Sequence, residues 1–357
     1  MAVFYILLLV PIMIQHLSIG RKNINYGSKN RTAVFVFFVL CTMLLALRHS
    51  IVGVDTKVYL SAFKRLSLMN WDLIGMETTE VGYMYYNKII ALFSDNPQVF
   101  FAITGAITVA LIYPTYKRLT VDASFTIVLF CTMPTFIMMF SGIRQMLAVG
   151  LGVVAYELTR RKKLFFFILV VVLAMTFHVS AFMLAFMYPL YHVKITKTWL
   201  FVIIPSMVVM FIFNERIFTF LLMILSLFTS YEGEITETGA YTMLILFLMF
   251  SVFAFLVPDE SSLDKETNGL RNFLLFSCAL QFFAPLHTLA MRMNYYYIIF
   301  IPLLLPKVIS ASAGRWKQFA LVGRYVMLVG FLVYFFYNAY NGKNLHVFPY
   351  HFFWEAV

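Results

Sequence analysis

Three arginines stand where apolar runs of the sequence begin or end: Arg48 in LRHSIVGVDTKVYLSAF, Arg144 in SGIRQMLA and Arg292 in MRMNYYY. A guanidinium is a planar fork that grips two oxygens of a phosphate at once, so three of them meeting at one place would suit a diphosphate. Two carboxylates, Asp55 and Glu80, could take a proton from a hydroxyl, and His178 in TFHVSAF offers an imidazole that works near neutral pH. Ser141 reads as the N-cap of a helix beginning beside Gly142, whose N–H groups would point at the same anion as Arg144.

Each residue also has a plainer reading. Arg144 can snorkel to lipid headgroups. Asp55 can cap the short helix starting at Thr56, Glu80 can be a solvated loop residue, and Tyr59 and Tyr83 can be ordinary interfacial aromatics rather than platforms for sugar rings. His178 can be a hydrogen-bonded structural group, with Ser180 satisfying backbone freed at a helix break. The sequence carries no nucleophile elbow, P-loop, Cys/His metal spacing or Asp-x-Asp pair. A soluble-type hydrolase, an ATPase and a zinc enzyme are therefore disfavoured, and neither a metal nor a cofactor is expected.

The elements that must position these groups are apolar. Of 357 residues 62% are hydrophobic, 12% are charged and 40 are Phe, whereas roughly a quarter of a soluble domain is charged. The expected fold is an all-α, polytopic integral membrane protein. Runs at 2–19, 32–47, 97–114, 124–140, 143–159, 198–213, 240–257, 271–286, 294–310 and 319–337 read as spans. The first has no basic leader and no small-residue cleavage site, so it is read as a transmembrane helix rather than a secretory signal. A single helix over 164–192 would be about 43 Å long, too long for a bilayer without strong tilt. A break near Thr176 to His178 makes two short spans of it and about twelve in all. Cys41, Cys131 and Cys278 lie in apolar runs without paired spacing and read as core or lipid-facing residues.

The net charge of +11 would suggest a nucleic-acid partner for a soluble chain, but here its distribution matters more. With the amino terminus outside, 18 of the 27 Lys and Arg fall in cytoplasmic loops, in agreement with the positive-inside rule. A rival count merges 164–192 and promotes Arg216 to Phe228 to a span, but it turns Lys194 and Lys197 outward. The preferred topology is one transmembrane domain over 1–357 with two large external loops, 48–96 and 214–239. The first holds GYMYYNKIIALF (82–93), suited to a helix lying in the interface, and the second holds another such helix and the acidic run YEGEITETG. Arg48, Arg144, His178, His287 and Arg292 then all fall on the external face.

In order along nearly the whole chain, LRHSIVGVDTKVY, ETTEVGY, SGIRQMLA, TFHVSA, MRMNYYY and VFPYHFF resemble the EpsG family, which belongs with the Wzy-type polysaccharide polymerases. The resemblance implies a glycosyltransferase at the outer side of the cytoplasmic membrane. It would join undecaprenyl-diphosphate-linked oligosaccharide repeat units into capsule, O-antigen or exopolysaccharide. Its partners would be the lipid-linked donor and acceptor, membrane lipid and a chain-length regulator, with no nucleic acid. The motifs match at Arg48, Gly53, Asp55, Thr56, Tyr59, Glu80, Gly82, Arg144, Gln145, His178, Ser180 and Arg292, to which the chain's own pattern adds Gly142. In that light Arg144 and Arg292 hold the donor diphosphate, Arg48 assists or holds the acceptor's, and Asp55, Glu80 or His178 is the base. A lipid-linked oligosaccharide flippase, an O-antigen ligase-like enzyme and a membrane acyltransferase are the alternatives. Charges clustered at one face, with no visible repeat, favour an enzyme over a transporter.

Overall fold

The computed structural model describes residues 1–16, 26–76, 80–226, 241–314, 316–341 and 345–356. The acidic run 231–239 and the first three residues of ETTEVGY lie outside these. Among the described residues the fold is helical and has no strands. In chain order the α-helices are α1 (Ala2–His16), α2 (Tyr26–Leu47), α3 (Thr56–Leu68), α4 (Val81–Ala91), α5 (Pro97–Leu119), α6 (Ala123–Thr132), α7 (Pro134–Ser141), α8 (Ile143–Arg160), α9 (Leu164–Phe177), α10 (Met187–His192), α11 (Leu200–Ile212), α12 (Asn214–Ser226), α13 (Tyr241–Leu256), α14 (Lys265–Gln281), α15 (Thr288–Ile298), α16 (Ile301–Ser310) and α17 (Trp316–Tyr340). Short 3₁₀ helices occupy Trp71–Met76 and Val179–Phe186.

Among the described residues three helices are long and apolar enough to cross a membrane: Gly27–Leu47, Pro97–Leu119 and Trp316–Tyr340. Three bent pairs raise the number to six if each is one span: α6 with α7 at 59°, the stretch Lys197–Ile212 with Asn214–Met223 at 77°, and α15 with α16 at 46°. The chain is thus a membrane-embedded helical protein, with fewer long straight spans than the twelve apolar runs suggest. Proline explains two of the bends. Pro134 and Pro302 stand in the first turn of α7 and α16, where a missing N–H costs nothing but the preceding helix cannot continue. The expected break near His178 is present: α9 stops at Phe177 and His178 is extended (φ −155°, ψ 124°).

The chain divides into two compact units, one of Met1–Ala185 with Leu321–Val357 and one of Phe186–Ala320. In the first, α5 packs between α2 and α8. Asn96 caps α5, its side chain accepting from the Gln98 N–H at 2.8 Å, and Pro97 opens the first turn. A core of Phe63, Tyr83, Ile90, Phe100, Phe101, Ile143 and Leu147 fixes α3 and α4 against the starts of α5 and α8. At the opposite ends of these helices, Gln15, Asn30, Asp122, Ser124 and Arg324 tie α1, α2, α6 and α17 together. Glu157 collects Arg118 at 2.6 Å and Arg160 at 3.1 Å there too. The unit therefore has two polar ends.

The second unit is built on α14, which packs with α10, α13 and α15. Asn294 joins α15 to α14 by donating to the Ser277 carbonyl at 2.9 Å and to Gln281 Oε1 at 3.0 Å. Such amide bonds are a usual way of holding apolar helices together in lipid. All three cysteines are free and buried.

Candidate functional site

The end of the first unit where α2 stops and α8 starts gathers most of the residues singled out from sequence. Because α7 is short and stops at Ser141, its last carbonyls have no partner within the helix. Arg48 supplies one. Its guanidinium donates to the Phe140 carbonyl, lies 4.3 Å from the Phe101 ring centroid and is only 2% exposed. A cation at a helix C-terminus is also favoured by the macrodipole. Thr56 turns the same way, donating to the Val52 carbonyl at 2.6 Å and, more weakly, to Phe140 at 3.4 Å. Arg48 and Thr56, expected among substrate-binding residues, thus face protein backbone. The cause is the unpaired end of α7, which no spacing in the sequence announces.

Gly53 is required by the same close approach. It adopts φ +95°, and a Cβ there would overlap the Phe140 carbonyl. The expected Ser141 cap is instead a crossbrace. Gly142 occupies the N-cap position of α8, while Ser141 Oγ accepts from the Val54 N–H at 2.9 Å and donates to the Leu345 carbonyl at 3.4 Å. Asp55 stands at the N-cap position of α3, yet its side chain makes no capping bond. The half-buried carboxylate is left for other work.

Glu80 joins three element ends. It is the N-cap residue of α4, where a carboxylate is favoured by the helix dipole. One carboxylate oxygen pairs with Arg144 at the start of α8, and the other accepts from the Val179 N–H at 3.3 Å, where the 3₁₀ helix begins. The two paired side chains are 22% and 18% exposed, so solvent still reaches them. Arg144 also lies 6.0 Å from the Tyr83 ring, which meets Tyr59 edge-on at 5.9 Å. Tyr83 is 2% exposed, and burial raises its pKa and keeps the phenol neutral. Gly82 allows the approach of α9, for a Cβ there would strike Thr176.

His178 and Ser180 are buried next to this pair. The Ser180 N–H points at His178 Nδ1 at 3.3 Å and the hydroxyl lies 2.7 Å from it. A ring nitrogen that accepts from a backbone amide carries a lone pair, so the neutral ring has its proton on Nε2. Gln145 is buried in α8 behind Arg144. Arg292 belongs to the second unit, half-buried on α15. There His287 caps the helix, its Nδ1 accepting from the Leu289 N–H at 3.0 Å, and burial with the charge of Arg292 lowers the imidazole pKa.

Sequence reasoning missed the carboxy-terminal segment as part of this end. Gly53 and Val54 donate to the carbonyls of His346 and Leu345 at 3.1 Å each, and His49 donates to that of His351 at 2.8 Å. Phe353 returns a bond to the Leu47 carbonyl at 2.9 Å, and Tyr350 donates to that of Leu44 at 2.7 Å. The motif VFPYHFF was read as part of the resemblance, but none of its residues was assigned to the site. Among the described residues no three His, Cys, Asp or Glu side chains are grouped to hold a metal ion.

A membrane-embedded helical chain with a guanidinium–carboxylate pair at one end is the class that fold and site define. The chain belongs to the EpsG family, whose model matches residues 31–352. Members of that family are Wzy-type polymerase-like, which assigns the chain to polysaccharide polymerase-like membrane proteins. No curated protein and no solved structure matches it.

Proposed function

We propose that the chain joins undecaprenyl-diphosphate-linked oligosaccharide repeat units into a surface polysaccharide at the external face of the cytoplasmic membrane. The observation that carries the proposal is the partly exposed Glu80–Arg144 pair at the start of α8, in a chain of this family. Arg144 and the first N–H groups of α8 take the donor diphosphate, which displaces the Glu80 carboxylate. Glu80 then accepts the proton of an acceptor hydroxyl as that oxygen bonds to the anomeric carbon. The bond from that carbon to phosphate breaks, and undecaprenyl diphosphate leaves with its charge held by Arg144. Arg48 positions the turn between α7 and α8 rather than touching substrate. Asp55, half-buried and without a capping bond, is the second carboxylate for orienting the acceptor hydroxyl.

The test is incubation of the purified protein with one defined lipid-linked repeat unit, without nucleotide sugars. A ladder of longer lipid-linked products supports the reading. Folded protein that gives no ladder, in cells that accumulate repeat units on the inner side when the gene is removed, would instead make it a transporter.

A further inference from the structure

The chemistry above leaves the turn Phe352–Glu355 unused. It is closed by the Glu355 N–H donating to the Phe352 carbonyl at 3.0 Å, which lays the Trp354 ring back on Phe352, 4.5 Å between centroids and 11° from parallel. Phe353 stands against Trp354 at 79°. Phe353 is 46% exposed and Trp354 59%, so the pair forms an open aromatic corner. At its rim the His351 Nδ1–H donates to Glu355 at 2.9 Å.

The corner is held rigidly. Leu345 and His346 both adopt left-handed conformations, φ +45° and +55°, which cost residues with a Cβ free energy and persist only where surroundings hold them. Here the backbone bonds to Gly53, Val54 and His49, and the Ser141 hydroxyl, do so. Ser141 immediately precedes the turn into α8, three residues before Arg144. The corner and the ion pair thus rest on one scaffold.

We propose that Phe352, Phe353 and Trp354 form a subsite for a sugar ring of the oligosaccharide, with the Glu355 carboxylate accepting from its hydroxyls. The subsite's role in the reaction rests on the polymerase reading; its affinity for carbohydrate does not. A pyranose presents a face of C–H groups to a flat ring and hydroxyls at its edge, and the corner offers an aromatic face beside a carboxylate. A polybasic membrane-surface anchor has a different composition, pairing aromatics with Lys and Arg for anionic headgroups. Residues 345–356 contain no Lys or Arg and one Glu.

The experiment uses the full chain in lipid nanodiscs and, as probe, the repeat-unit oligosaccharide released by mild acid from the host's own lipid-diphosphate-linked unit. Saturation-transfer NMR reads the binding. Wild type is expected to saturate one face of one sugar residue, Trp354→Ala to weaken binding about tenfold, and Trp354→Phe and Glu355→Gln to weaken it less while melting like wild type. Arg144→Gln removes the phosphate ligand and is expected to leave the sugar signal unchanged. A sugar signal unaltered in Trp354→Ala, or absent from wild type, overturns the subsite even if ladders form. Disappearance of the sugar signal in Trp354→Ala upholds it even if wild type builds no ladder, which would sink the polymerase reading alone. Quenching of Trp354 by brominated lipid, in a protein whose other three tryptophans are replaced by Phe, would assign the corner to the membrane interface and overturn the proposal.

Discussion

Glu80 at the start of α4 and Arg144 at the start of α8 face each other as an ion pair, and the backbone of the broken helix after α9 completes it through the Val179 N–H. Three helix ends thus meet at one carboxylate. Partly exposed pairs contribute only about 1 kcal/mol to stability, too little to explain such a junction by folding alone. A guanidinium held by a carboxylate is also a guanidinium that an incoming phosphate can take.

Replacing Arg144 by Lys keeps the charge and removes the fork. Loss of one oriented donor to a developing oxyanion typically costs on the order of a hundredfold in turnover. Arg144→Lys is therefore expected to reduce ladder formation about that much, with the loss in kcat. The exchanged pair Glu80→Arg with Arg144→Glu restores opposite charges but loses the Val179 bond and the carboxylate at the start of α4, so it should recover only part of the melting temperature lost in either single variant and none of the activity. Full-length ladders from Arg144→Lys would remove Arg144 from the phosphate site.

Arg48 should behave differently. Its guanidinium is buried on the Phe140 carbonyl, and removing it leaves that acceptor with only the weak bond from Thr56 at 3.4 Å. Arg48→Met is expected to lose about 2–3 kcal/mol of stability, seen as a lower melting temperature in detergent. Protein that survives should keep the wild-type KM for the lipid-linked unit. An unchanged melt with a raised KM would make Arg48 a substrate ligand after all.

The glycines of the α2–α3 connection and of the α7–α8 turn it packs on give a ranked test. A Cβ at Gly53 would meet backbone, the Phe140 carbonyl, on a residue already at φ +95°. A Cβ at Gly142 would meet chiefly the terminal methyl of Met138, which can move. Gly53→Ala is expected to cost about 1–3 kcal/mol and Gly142→Ala well under that, measured by thermal melting of the two purified variants. Equal melts would mean that the turn relaxes around Gly53.

Composition and run length made the helical membrane class and one break readable. The break near His178 followed from length, since 164–192 is too long for one span, whereas Pro134 lies inside a run read as continuous and its bend was not anticipated. Of the twelve expected spans, the described residues show three long helices, or six if each bent pair is one span, because an apolar run records burial and not straightness: 124–140 reads as one span and folds as two helices at 59°. At the site, Glu80 and Arg144 were visible as ionisable groups beside apolar runs. Their pairing was not, because nothing local says that α4 and α8 start at the same place. The contact of Arg48 with the Phe140 carbonyl was not readable for a related reason. The sequence shows a cation at the end of a helix, but the unpaired carbonyl that captures it lies on α7, a helix whose early stop at Ser141 depends on how α7 and α8 pack.

The exchange between Glu80 and phosphate makes an unusual prediction for Glu80→Gln. In the wild type a phosphate must displace the carboxylate to reach Arg144. A neutral amide competes less for the guanidinium, and losing a partly exposed pair of about 1 kcal/mol corresponds to roughly fivefold in affinity. Undecaprenyl diphosphate without sugar should therefore bind Glu80→Gln about fivefold more tightly than wild type in nanodiscs, while ladder formation disappears because the proton acceptor is gone. Loss of activity alone would be ambiguous, since any damage to the site produces it. Gain of phosphate binding together with loss of transfer is what displacement requires and general damage does not give. Weaker phosphate binding in Glu80→Gln would show that the carboxylate orients Arg144 for the ligand instead of competing with it, and persistent ladders would pass the role of base to Asp55 or His178.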